Sequence, residues 1–150
     1  MSLKQTLQND LTESIRGRDE LTSATIRMLL TAITNEEVAG KEARTLTDTE
    51  IIAVLSREAK KRKEAAEAFA QGGRSDRADR ELAEGGVIAQ YLPEALSNEE
   101  LNNMIAAAIS ASGVSGPSGM GAVMKILQPQ VAGRADGGAV AAAVKAALAQ

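Results

Sequence analysis

The sequence predicts an all-α fold, and three observations carry that reading. Apolar residues recur at spacings of three and four along most of the chain. Alternation of apolar and polar residues is nowhere sustained, so strand patterns are missing. Thr47 with Glu50, and Ser97 with Glu100, form Ser/Thr-x-x-Glu capping boxes just ahead of apolar-periodic runs.

The first helix is expected from Ser2, with Leu3, Leu7, Leu11 and Ile15 along one face and Gly17 as its end. The second begins near Asp19, buries Leu21, Ala24, Met28, Leu29, Ala32 and Ile33, and stops at Gly40. The third opens on the Thr47 box, buries Ile51, Leu55, Ala59, Ala66 and Phe69, and ends at Gly72 and Gly73. The fourth spans Asp76 to Tyr91. Gly85 and Gly86 weaken it by about 1 kcal/mol each relative to alanine, which predicts a kink or break. Pro93 disfavours helix at Leu92 and marks a hinge. The fifth helix runs from Asn98 to Ser112 over Leu101, Met104, Ile105, Ala108 and Ile109. After the loop "GVSGPSG", the sixth covers Gly119 to Gln128, with Val123, Met124 and Leu127 inward and Pro129 ending or bending it. The seventh follows Asp136 and buries Val140, Val144 and Leu148. The expected organisation is a four-helix domain over residues 1–92, then a Pro-containing hinge into a smaller three-helix domain over 93–150.

Composition narrows the chemistry. The chain has 150 residues, 44% hydrophobic and 25% charged, with only 1% aromatic. That suits a globular protein whose core is aliphatic. No cysteine means no disulfide and no thiolate metal site. No histidine removes the usual general base, the commonest metal ligand and the physiological-pH switch. No cofactor or metal is expected. No apolar run approaches the ~20 residues of a membrane helix, and the first ten residues lack a basic-then-apolar leader pattern. A soluble cytoplasmic protein is expected. The net charge of −3, from 17 basic and 20 acidic residues, gives no global basic excess for nucleic acid, so RNA binding needs a local patch.

One such patch is "SREAKKRKEAAEAF". Arg57, Lys60, Lys61, Arg62 and Lys63 fall within two turns. They suit phosphate contact, or a solvated face, because Glu58 stands four residues before Arg62, Glu64 after Lys60 and Glu67 after Lys63. Lys61 has Ala65 there instead. The paired carboxylates Glu36–Glu37 and Glu99–Glu100 point about 100° apart on a helix and share no site. No G-x-G-x-x-G or Walker lysine is present.

A second candidate is the turn "VAGRADGGAV". Gly133 suits a left-handed residue after a helix, and Asp136 suits the cap of the next, accepting from Gly138 or Ala139. Gly137 and Gly138 permit close approach of a backbone or a ligand. Arg134 and the helix dipole would hold a phosphate, while Asp136 would oppose one. A structural turn and a phosphate cradle both stay open.

These stretches resemble the GatB/YqeY family. "GMGAVMKILQPQVAGRADGGAV" is similar to its ending, and "RGRDELTSATIRMLLTAITNEE", "SREAKKRKEAAEAFAQGGRSDRADRELAE" and "YLPEALSNEEL" match its order upstream. Gly121, Met124, Gly133, Arg134, Ala135, Asp136 and Gly137 fall on its C-terminal pattern. Arg27, Arg57, Lys61, Arg62, Arg74, Tyr91, Leu92 and Pro93 fall on its earlier ones. The resemblance implies an all-helical two-part fold akin to the tail domain of the tRNA-dependent amidotransferase B subunit, which contacts tRNA while other domains catalyse. A carbon–nitrogen ligase label with glutamine as amide donor follows from that kinship alone, and no residue here is expected to be catalytic. The implied function is a non-catalytic accessory module for tRNA or other RNA. The candidate contacts are Arg57, Lys61, Arg62, Lys125 and Arg134, and the alternative partner is another protein.

Overall fold

Seven helices and no strand make up the chain in a computed structural model that describes residues 1–150. They are α1 (Leu3–Arg16), α2 (Glu20–Glu37), α3 (Asp48–Gln71), α4 (Ser75–Ala89), α5 (Asn98–Ser112), α6 (Met120–Val131) and α7 (Gly137–Leu148), with a short 3-10 turn at Pro117–Gly119. Local chemistry sets most boundaries. Ser2, Thr47 and Ser97 each accept from the backbone three residues on, and Gln5, Glu50 and Glu100 reach back to close three capping boxes. Asp19 and Asp136 cap α2 and α7 alone. Contacts group the chain into two compact units, Met1–Leu92 and Pro93–Gln150.

In the first unit, Leu7, Ile26, Leu29, Ile33, Leu46, Ile51, Val54, Leu55 and Ile88 form the core, and Tyr91 and Leu92 pack against it. Tyr91 Oη donates to Asp10 Oδ2 at 2.6 Å. Burial, reinforced by that carboxylate, raises the phenol well above its usual pKa. Lys4 Nζ donates to Glu37 Oε1 at 2.7 Å. That bond holds the Glu37 carboxyl below its ordinary range against the opposing effect of burial. In the second unit, Leu101, Ile105, Ala108, Val123, Leu127, Val131, Val140, Val144 and Leu148 close an aliphatic core.

Four expectations need correction. Ile15 is 49% exposed, off the face that buries Leu7. Steps of four advance about 40° beyond a full turn on a helix, so by Ile15 the stripe has rotated away, and Ser14 is buried instead. The second helix ends at Glu37, before Gly40. Helix α4 runs unbroken through Gly85 and Gly86, because Val87 and Ile88 beyond them are buried and hold it in place. Helix α6 likewise continues through Pro129 to Val131. The ring is exposed, so the lost backbone bond lies toward solvent, and Val131 is 5% exposed in the core.

A methyl group at Gly86 meets nothing within 4 Å. Gly86→Ala is therefore expected to stabilise the first unit by about 0.5–1 kcal/mol. The urea midpoint measures it, and a lower midpoint contradicts a continuous α4.

Candidate functional site

The basic run lies on α3, and packing divides it. Arg57 and Lys61, one turn apart, keep side chains 58% and 64% exposed. Each meets a single carboxylate: Arg57 Nη2 lies 3.4 Å from Glu36 Oε2, and Lys61 Nζ lies 3.0 Å from Glu58 Oε1. Arg62 is different. Its side chain is 15% exposed and stands among Glu58 at 3.4 Å, Glu81 at 3.6 Å and Glu84 at 3.2 Å. Its Nη2 also touches Met28 Sδ. Glu58, 9% exposed as a residue, is part of this inner cluster. The α3 basic face is thus solvated at Arg57 and Lys61 but forms a polar seam against α4 at Glu58 and Arg62.

Arg80 extends the seam. Its Nε donates to Glu84 Oε1 at 3.1 Å, and its Nη groups grip both oxygens of Glu20 at 3.0 and 3.1 Å. That bidentate grip holds the Glu20 carboxyl below its ordinary range. Of the other family-pattern residues here, Arg74 bridges Asp76 at 3.3 Å, and Arg27 is exposed on α2.

The second unit holds the remaining two candidates. Lys125 is exposed on α6. Arg134 Nε donates to the Glu94 carbonyl at 3.0 Å, and the Arg134 carbonyl accepts from Leu96 N at 2.9 Å. The glycine turn thereby clasps the segment that leads into α5. Gly133 is left-handed at φ 74°. Asp136 Oδ2 accepts from Ala139 N at 3.1 Å. A methyl group at Gly138 would come within 3.2 Å of that same oxygen, whereas Gly137 faces open space. Gly138 therefore leaves room for the cap.

Sequence reasoning missed Gly119. A methyl group there would lie 2.4 Å from Val114 Cγ2 and 2.6 Å from Val114 Cβ, while Gly121, the glycine on the family pattern, meets nothing within 4 Å. It also missed a groove of about 520 Å³ between α5 and α7, with Ile105, Ile109, Ala143 and Ala147 among its walls and the polar Asn102 and Gln150 beside them. A spacing argument would have found the groove, since Ile105 with Ile109 and Ala143 with Ala147 are i,i+4 pairs.

Comparison with known proteins gives a consistent result. The family described as Yqey-like protein matches residues 4–148. An uncharacterized protein of Schizosaccharomyces pombe is 32% identical over 98 residues, covering 65% of this chain and 77% of that protein. The altered inheritance of mitochondria protein 41 of Clavispora lusitaniae is 32% identical over 107 residues, covering 69% of this chain and 61% of its own length. Its namesake in Lachancea thermotolerans is 33% identical over 86 residues, covering 57% of this chain and 46% of its own length.

Proposed function

From the premise that this chain belongs to the YqeY-like protein family, we propose that it is a non-catalytic accessory module that contacts tRNA or a similar RNA. One observation carries this. Arg57 and Lys61 sit one turn apart on α3, exposed, Arg57 paired at the surface with Glu36 and Lys61 with the largely buried Glu58. The exposed Arg57–Glu36 pair contributes roughly 0–1 kcal/mol and exchanges readily for a phosphate, and Glu58 retains Arg62 when Lys61 turns to one. The separation of Arg57 and Lys61 along the axis is about 6 Å. Arg62, committed to its three carboxylates, supports the strip from beneath. The kinship with an amidotransferase tail supports RNA as the ligand, while the carbon–nitrogen ligase label belongs with domains this chain does not resemble. Cytoplasmic residence and independent folding of 1–92 and 93–150 are parts of the same proposal. Two relatives carry mitochondrial names, so cell fractionation decides the first, and separate expression of each unit decides the second.

Neutralising both charges, Arg57→Gln with Lys61→Gln, should weaken tRNA binding by about tenfold at low salt with the chain still folded, since Glu58 retains Arg62. Unchanged affinity would remove the α3 strip from the interface.

The α5–α7 groove favours a second reading, a protein partner presenting the apolar face of a helix. Pull-down from lysate with and without nuclease separates the two. Partners lost with nuclease favour RNA, and partners retained favour the groove.

A further inference from the structure

The turn from α1 to α2 places its glycine one residue away from where the backbone needs one. Gly17 has an ordinary φ of −78°, and the left-handed conformation, at φ 55°, falls on Arg18. Glycine or asparagine fits that conformation at least cost. An arginine there carries a conformational cost that glycine would avoid.

Arg18 lines a shallow cleft of about 220 Å³ together with Ile15, Asp19, Glu20 and Arg27. Arg18 and Arg27 are exposed and, unlike Arg16 and Arg80, enter no ion pair. The carboxylates at the cleft are engaged elsewhere. Both oxygens of Asp19 accept from Thr22, at 3.1 Å from its N and 2.7 Å from its Oγ1. Both oxygens of Glu20 accept from Arg80. Arg18 and Arg27 therefore line the cleft without an ion pair, beside the Asp19 carboxylate, which is bonded only to the neutral Thr22.

We infer that this cleft binds the phosphate group of a small phosphate monoester, held by Arg18 and Arg27. A monoester phosphate presents three terminal oxygens and a charge of about −2, enough to accept from both planar forks at once. The cavity is smaller than the roughly 300–1,000 Å³ of drug-sized sites, so the ligand is compact. The exposed face of Ile15 gives an apolar wall for the ester group. The inference is independent of the α3 strip.

The full-length chain, isotopically labelled, is titrated with phenyl phosphate and with inorganic phosphate while backbone amide shifts are followed. Saturable shifts are expected between residues 17 and 27, with phenyl phosphate the tighter ligand. Arg18→Gly suits the left-handed backbone, so it should melt no lower than the wild type yet bind phenyl phosphate at least about tenfold more weakly. Arg27→Gln should do the same. Shifts that fail to saturate, or wild-type affinity in a folded Arg18→Gly, overturn the site. Displacement of phenyl phosphate by tRNA also overturns it, in favour of an RNA phosphate.

Discussion

Replacing Arg62 with methionine should destabilise the first unit by about 3 kcal/mol, read as a fall in the urea midpoint. Methionine keeps the stem packed and removes the charge. Three carboxylates surround Arg62 between 3.2 and 3.6 Å, with side chains 11% to 22% exposed. Glu58 would keep Lys61, and Glu84 would keep Arg80. Glu81 fares worst. Its Oε2 is buried without a hydrogen bond and has Arg62 Nε at 3.6 Å. Breaking one side of a buried ion pair costs about 3–5 kcal/mol, chiefly through the charge left behind. Partial exposure and the two remaining cations place this case at the lower end. The double variant tests the cause. Adding Glu81→Gln to Arg62→Met should recover part of the loss, about 1 kcal/mol. A midpoint within error of wild type for Arg62→Met would show that the seam contributes nothing.

Gly119→Ala should cost the second unit about 3 kcal/mol, at the upper end of the overpacking range. The new methyl would lie 2.4 Å from Val114 Cγ2 and 2.6 Å from Val114 Cβ. Moving Val114 Cγ2 is cheap, but moving its Cβ means moving backbone. The strain therefore falls on the segment between α5 and α6. Trimming Val114 to alanine in the Gly119→Ala background removes the first clash and leaves the second, so rescue should be partial. Gly121→Ala is the control: its methyl meets nothing within 4 Å, and no loss is expected. Equal stability of the two single variants would contradict the close packing of Val114 on Gly119.

The contrast between these glycines shows where sequence reasoning reached and where it stopped. Helix starts were legible because a cap is local chemistry: Thr47 with Glu50, and Ser97 with Glu100, close their boxes within one turn. The left-handed Gly133 and the capping Asp136 were legible for the same reason. The helices neither break at Gly85–Gly86 nor end at Pro129, because burial of Val87, Ile88 and Val131 outweighs local propensity there. The Glu58–Arg62 pair was legible as a spacing, but its environment was not. Only the packing of α4, which brings Glu81 and Glu84 to Arg62, turns a surface pair into a polar seam. Gly119 could not be told from Gly121, since what separates them is a valine five residues upstream in the folded chain. Among the candidate RNA contacts, spacing placed Arg57 and Lys61 on one face of a helix, but it could not say that Arg62 faces inward or that Arg134 is bonded to Glu94.

We propose that this molecule works by touching RNA rather than by transforming a substrate. Titration of fluorescently labelled tRNA with the purified chain, followed by polarisation at low and moderate salt, tests it most directly. Saturable binding in the micromolar range at low salt is predicted, with a shallow salt dependence corresponding to about two or three phosphate contacts. An absence of binding at low salt, with the protein well above micromolar concentration and folded, would contradict it.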